Sequence, residues 1–157
     1  MIARGVPLLA AMLVGCSAAP ECVFEGEPLT SKSAGCLVYQ DQALLLVSSH
    51  QDLWGPPGGS VDAQESAQCG AVRETWEETG VVVTAGRLAR IFDNGFHLFW
   101  CTPTMKSEPR VLRPFEVKAS GYIPMFRFAE LNWRFPDQAA ELITLMDQQQ
   151  EIQANDR

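Results

Sequence analysis

The chain has 157 residues, 46% of them apolar, which fits one domain around a single core. A formal net charge of -7 leaves no electrostatic footprint for a nucleic-acid backbone, so nucleic acid is excluded as a partner. Arg110, Arg113 and Lys118, flanking Glu116, read as a local patch or solvated loop, and no linker or repeat divides the chain.

At the N-terminus Arg4 precedes an apolar run over residues 6–14, followed by Gly15-Cys16-Ser17. That is a signal-peptide layout. The run is shorter than the roughly 20 apolar residues of a bilayer-spanning helix, and Pro7 also argues against a long span. Leu13-Val14-Gly15-Cys16 resembles the bacterial lipobox, after which Cys16 becomes a lipid-modified N-terminus. Ser17 in place of Asp after that cysteine resembles lipoproteins sorted to an outer membrane, in a host that has one. Two other readings stand beside this one: cleavage after Ala19, since Ser17-Ala18-Ala19 also has the small-x-small form, and a cytosolic protein with an apolar N-terminal strand. The expected layout is a signal peptide over 1–15, a short tether over 16–33, one folded domain over 34–152 and a polar tail over 153–157. The expected location is outside the cytoplasm, on the periplasmic side, held to the membrane by a lipid anchor.

Export changes the reading of the other four cysteines, Cys22, Cys36, Cys69 and Cys101, because an oxidising compartment permits two disulfides among them. Three connectivities are possible, and the sequence does not choose. Alternatively Cys36, Cys69 and Cys101 are small buried apolar residues without a bond. No CxxC or Cys/His spacing suggests zinc.

Residues 34–39 and 43–48 read as an apolar hairpin around Gln40-Asp41-Gln42. Pro56-Pro57-Gly58-Gly59 then marks a tight loop that lets backbone approach a ligand. Asp62 as N-cap, with Glu65 three residues on, has the form of a capping box and places a helix start near Ala63, with Gly80 ending the helix after Thr79. Within it Glu74, Glu77 and Glu78 fall at i, i+3 and i+4, so the three carboxylates share one face. Like charges this close repel unless a cation neutralises them. Carboxylate oxygens are hard ligands suited to magnesium or manganese, and magnesium takes its remaining ligands from water and phosphate, which implies a phosphate ester or anhydride as substrate. Arg73 can pair with Glu65 or with the carboxylate face, orienting the ligands, or grip phosphate itself. Taken alone, such a helix also has a plain reading as a solvated face laced with weak ion pairs.

Further strands are expected over 81–84, 87–92 and 96–102, punctuated by Gly86 and by Asp93-Asn94-Gly95, whose Asn-Gly is a hairpin signal. Weaker candidates cover 115–118 and 121–128. A final helix over 137–151, following Pro136, carries Leu142, Leu145, Met146 and Ile152 at near-helical spacing. Strands before and after a helix, then a closing helix, give a layered α/β arrangement.

The stretch over 59–81 carries a family resemblance. The pattern G-x5-E-x7-R-E-U-x-E-E-x-G-U, with U bulky and apolar, is matched by Gly59, Glu65, Arg73-Glu74, Glu77-Glu78, Gly80 and Val81, and resembles the signature of the Nudix hydrolase superfamily. Every charged position is retained. Thr75 stands at the first U, Gln64 replaces a common Gly, Gly70 a common Ala and Pro56 the common Leu of the loop. Gly70 costs roughly 1 kcal/mol of helix stability against Ala unless close packing needs it.

The resemblance implies an α/β/α sandwich with a mixed sheet and metal-dependent hydrolysis of a nucleoside diphosphate derivative or related pyrophosphate, with Mg2+ or Mn2+ as cofactor. It implies Glu74, Glu77 and Glu78 as metal ligands, with Glu77 as the first choice for taking the proton and Arg73 and Glu65 supporting them. Glu116 is the candidate for a further ligand or base outside the signature, ahead of Glu108 and Glu130. Gly58, Gly59 and Arg134 are the expected substrate contacts, with Trp133-Arg134-Phe135-Pro136 closing one side of the pocket. Of the residues that often separate subfamilies, neither the Pro of many ADP-ribose hydrolases nor the Tyr of many dinucleoside polyphosphate hydrolases occurs in residues 95–99, and the coenzyme A signature is absent. Trp54, His97, Phe99, Trp100 and Trp133 read as core aromatics or as stacking partners for a base, and His97 as a strand-edge hydrogen-bonding residue or a phosphate donor. The competing function is a membrane-tethered binding or assembly module that keeps the fold without catalysis.

Overall fold

The computed structural model describes residues 19–155. Arg4, the apolar run and Cys16 lie outside the described residues, and the signal-peptide and lipidation readings fall there. Eight strands form one mixed sheet: β1 (Ser33–Gln40), β2 (Ala43–Ser48), β3 (Leu53–Gly55), β4 (Gly58–Ser60), β5 (Val83–Ile91), β6 (His97–Pro103), β7 (Ala119–Pro124) and β8 (Asn132–Trp133). Two helices, α1 (Ala67–Thr79) and α2 (Gln138–Asn155), cover its two faces.

The alternation of apolar residues along the strands explains the two layers. Cys36, Val38, Leu45, Phe99 and Cys101 point to one face and pack with Ala67, Ala71 and Val72 of α1. Leu37, Leu44, Leu46 and Leu98, each one residue out of step, point to the other and pack with Leu142, Leu145 and Met146 of α2. Strands buried on both faces read as continuous apolar runs, which is why residues 43–47 show no polar alternation. Each fully buried Leu or Val contributes roughly 1.5–3 kcal/mol. The α/β/α sandwich with a mixed sheet is the fold observed.

The β1–β2 hairpin turns at Asp41-Gln42, both at positive φ (50° and 63°), as a two-residue hairpin requires. It is paired over only Tyr39↔Leu44 and Gln40↔Ala43. Beyond that the strands part. β1 takes β4 on one side and β6, in parallel, on the other, while β2 pairs with β7 and, at its end, β3. The segment from β3 to β4, containing Pro56-Pro57, crosses this split and presents Gly58-Gly59 beside α1.

Several expected elements differ. The strands expected over 81–84 and 87–92 are one strand, β5, whose pairing with β6 shifts register between Ala85 and Leu88 and again before Arg90, so Gly86 marks a bulge and not a break. Residues 115–118 form no strand; Glu116 N and Val117 N both donate to Arg113 O, closing a turn there. The second half of the 121–128 candidate is a 3-10 helix, Met125–Glu130, after β7. The helix α2 runs on to Asn155, into the stretch expected as tail.

The four cysteines pair as Cys22–Cys69 and Cys36–Cys101, with Cα atoms 5.3 and 5.5 Å apart. The first ties the segment before β1 to the opening turn of α1, and Phe24 bridges to Ala85 beside it. That segment, expected as a tether, also packs Leu29 against the α1 core. Among the described residues no helix is long and apolar enough to cross a membrane.

Candidate active site

The helix α1 begins later than the capping-box reading expects. Residues 62–65 form a separate turn, with Glu65 N donating to Asp62 O at 3.1 Å and Gln64 in the left-handed region (φ 70°). The N-cap is Ser66, whose hydroxyl accepts from Cys69 N at 3.2 Å. Glu65 still reaches back to Asp62 N (3.0 Å), but the left-handed Gln64 keeps that turn out of the helix. At the other end Gly80 caps α1 at φ 69°, donating to Trp76 O.

Two departures from the family pattern are explained by packing. Thr75 is wholly buried, and its hydroxyl donates to Ala71 O at 2.7 Å, so the polar atom is satisfied inside the helix. A Cβ on Gly70 would sit 2.8 Å from Val61 Cγ2 and 3.3 Å from Glu65 Oε2, so any larger residue there would crowd the preceding turn.

Arg73 organises the acidic face. Its Nε and Nη2 donate to Glu65 (3.1 and 2.9 Å), Nη2 also to Ser60 O (2.8 Å), and Nη1 to Glu74 (2.9 Å) and Glu77 (3.3 Å). These bonds, opposed by partial burial, hold the guanidinium charged. Burial pushes Glu65 up, but Arg73 and the Asp62 amide outweigh it and hold its carboxyl below the usual range. Glu65 and Arg73 thus join the turn, β4 and α1 into one unit, the orienting role expected of them.

Glu74 and Glu78 are both buried, 8% and 7% exposed. Burial raises Glu74 despite Arg73. Burial, with repulsion from Glu74 and Glu116, pushes Glu78 up to about 7, against the hydrogen bond it accepts from Gly58 N (2.8 Å). A Cβ on Gly59 would lie 2.7 Å from the Glu74 carboxyl carbon, so the loop glycine is what lets that carboxylate abut the backbone. Glu77 is the more accessible member, and Arg113, from the turn before β7, pairs with it and with Glu116 (3.3 Å). Glu116 is exposed and lies over the cluster through Arg113. Glu108 is an exposed surface residue, and exposed Glu130 pairs with Arg127.

Among the described residues no group of three acidic, histidine or cysteine side chains forms a ready-made metal cage. The donor chemistry nevertheless fits a hard divalent cation: carboxylate oxygens from one helix face, two of them held toward the protonated form by burial, are groups whose charge a cation would relieve. In this structure Arg73 and Arg113 answer part of that charge.

Beside the cluster lies a cavity of about 480 Å³, bounded by Pro56, Gly58, Gly59, Arg134, Phe92, Phe96 and Phe135 among others. The expected substrate contacts Gly58, Gly59 and Arg134 all line it, and Arg134 is near enough to Glu78 to act on its charge. The expected stacking aromatics do not. Phe99 is core, Trp54, Trp100 and Trp133 pack on the α2 face, and Trp133 Nε1 donates to Phe128 O at 3.0 Å. His97 sets its ring edge against Phe99, and its buried Nδ1 has no partner, contrary to the strand-edge hydrogen bond expected. Phe92, Phe96 and Arg113 were not anticipated; the two phenylalanines flank the Asn-Gly turn, where a loop tip gives apolar residues little reason to be other than ligand-facing or packed.

Comparison with known proteins is consistent with this geometry. The family model described as NUDIX domain matches residues 29–151. A diphosphoinositol polyphosphate phosphohydrolase 2 of Mus musculus is 44% identical over 68 residues, 40% of this chain and 38% of that protein, so the match spans well under half of the relative. A crystal structure of an ADP-ribose pyrophosphatase from Streptococcus suis superposes with a TM-score of 0.61 at 24% identity, covering 71% of this chain and 88% of that one. A NUDIX hydrolase from Nitrosomonas europaea gives a TM-score of 0.67 at 17% identity, covering 80% and 75%. Both structural likenesses speak to the fold.

Proposed function

The chain belongs to the NUDIX domain family, and from that premise we propose that it hydrolyses a pyrophosphate bond in a small molecule, a nucleoside diphosphate derivative or a related pyrophosphate. The observation that carries the proposal is the contact of Glu74 and Glu78, on the acidic face they share with Glu77, with the Gly58-Gly59 backbone, which lines a cavity together with Arg134. Held by Glu74, Glu77 and Glu78, with Glu116 in reach, Mg2+ or Mn2+ would neutralise phosphate oxygens and acidify water at this place. The residues of the chain supply the rest. Arg73 fixes Glu65, Glu74 and Glu77 relative to β4, which holds the carboxylates in one arrangement before substrate arrives. Glu77, the most accessible of the three, accepts the proton of the attacking water. Arg134 binds a phosphate oxygen, orienting the anhydride toward the cluster.

The test is phosphate release, with a coupled phosphatase or pyrophosphatase where the products are phosphomonoesters or pyrophosphate, from a panel of ADP-ribose, nucleotide sugars, nucleoside triphosphates, dinucleoside polyphosphates, diphosphoinositol polyphosphates and isoprenoid pyrophosphates, with and without magnesium. Turnover should require the metal, and Glu77→Gln should lower it about 10²–10³-fold with the fold unchanged. One observation favours a second reading, a ligand-binding module without catalysis: Arg113 already pairs with Glu77. Silence across the panel by folded, disulfide-bonded protein selects that reading.

We place the protein outside the cytoplasm, tethered through a lipid on Cys16. The two disulfides support an oxidising compartment, and the apolar run before Cys16 supports export. Labelling with a palmitate analogue should mark the wild type and not Cys16→Ser; label retained by that variant removes the tether.

A further inference from the structure

Resting on the proposed metal site, we infer that Arg113 is an exchangeable counter-ion of the carboxylate cluster: its guanidinium neutralises Glu77 and gives that carboxylate up to a divalent cation, so this side chain sets how tightly the metal is held.

Two arginines meet the same oxygen of Glu77. Nη1 of Arg73 lies 3.3 Å from Glu77 Oε2, and Nη2 of Arg113 pairs with that same atom. They are held very differently. Arg73 is 18% exposed and also donates to both oxygens of Glu65, to Glu74 and to the carbonyl of Ser60, so it stays with β4 and the helix whatever Glu77 does. Arg113 is 39% exposed, and among the described residues its guanidinium meets only carboxylates, Glu77 and Glu116 (3.3 Å). Glu116 is itself exposed, so Arg113 keeps a partner on the solvent side when Glu77 is taken.

The backbone that carries Arg113 is fixed, which makes the exchange a movement of the side chain alone. Arg110 N donates to Thr79 O at the end of α1 (2.7 Å), Lys118 N donates to Ser48 O at the end of β2 (2.9 Å), and Val117 is buried. Between these anchors the Arg113 carbonyl accepts from Glu116 N and Val117 N (3.0 and 2.9 Å), and His50 Nε2 lies 2.9 Å from Pro114 O. A guanidinium on a flexible aliphatic stem can leave Glu77 without disturbing any of these bonds. While it stays, its charge opposes a second cation at the same oxygen; once it swings away, the opposition falls. Lys118, on the same loop, carries an equal charge but spends it on Asp52 in the turn after β2.

The experiment measures Mn2+ affinity by electron paramagnetic resonance on protein with both disulfides formed. Arg113→Gln should bind Mn2+ about fivefold more tightly than the wild type, the upper worth of a partly exposed ion pair. Lys118→Gln, which removes the same charge from the same loop, should leave the affinity unchanged. In the wild type itself Mg2+ should raise modification of Arg113 by phenylglyoxal, read by mass spectrometry, and leave Arg73 protected. Equal or weaker Mn2+ binding by Arg113→Gln, an equal gain in Lys118→Gln, or Arg113 labelling that ignores saturating Mg2+ overturns the inference. Tighter Mn2+ binding by Arg113→Gln with no phosphate release from any substrate sustains this inference while the hydrolase reading fails; metal-dependent release with a Mn2+ affinity indifferent to Arg113→Gln does the reverse.

Discussion

The two faces of the sheet are built by different means. On the α1 face both disulfides, Cys22–Cys69 and Cys36–Cys101, reinforce a core of small side chains, Ala67, Ala71 and Val72 against Val38 and Val83, and the acidic cluster is pinned by Arg73. On the α2 face the core is larger in side-chain volume, Leu37, Leu44, Leu46, Leu142 and Met146, with no disulfide among the described residues, and the cavity sits at its margin under loops. Covalent and ionic restraint hold the acidic cluster; apolar packing and loop aromatics shape the cavity.

The sharpest way to break the comparison is reduction. Closing loops of 47 and 65 residues, each disulfide is worth about 4 kcal/mol on the chain-entropy account, so Cys22→Ser with Cys69→Ser should lower the denaturation midpoint strongly, read by urea titration. A midpoint unchanged by the double substitution would mean that the α1 face does not depend on its staple. On the α2 face Leu142→Ala, which empties a fully buried position, should cost about 3 kcal/mol and leave both disulfides formed.

An effect of similar size comes from Glu78, whose carboxyl is pushed up to about 7. Because the folded state then holds its proton more tightly than the unfolded chain does, metal-free protein should lose roughly 3 kcal/mol as pH rises from about 4.5 to about 7 and stay level above. Glu78→Gln keeps an acceptor for Gly58 N–H and should flatten that fall; a melting curve with the same pH slope in both proteins would contradict it. The smallest effect is expected at Gly70, where alanine ordinarily stabilises a helix. Here the crowding by Val61 should reverse the sign, to a loss of about 1 kcal/mol, and a gain in thermal midpoint would show that the preceding turn yields easily.

Much of the site was legible because it is local. Glu74, Glu77 and Glu78 are close by helical geometry alone, Arg73 reaches Glu65 within the same stretch, and the glycines around them announce a tight loop. The helix start was misread for a local reason too: the Glu65 carboxylate does accept from Asp62 N as in a cap, but Glu65 N turns to the Asp62 carbonyl and Gln64 adopts a left-handed conformation that no side-chain pattern reveals. The strand expected at residues 115–118 failed because alternating apolar and charged residues there close a turn over the cluster instead, placing Arg113 on Glu77.

Spacing within one helix, therefore, let the sequence by itself determine the acidic face and its likeness to the NUDIX pattern, since these depend on residues within a few turns of each other, and the order of strand and helix segments along the chain gave the layered α/β class. Only the tertiary structure decided which cysteines pair, which aromatics line the cavity and which arginine answers Glu77. Cys36 and Cys101 meet because β1 and β6 run parallel as neighbours, and Phe96 reaches Gly58 because the same pairing carries the hairpin turn over the loop. Such meetings are set by strand order, a property of how distant segments share one core.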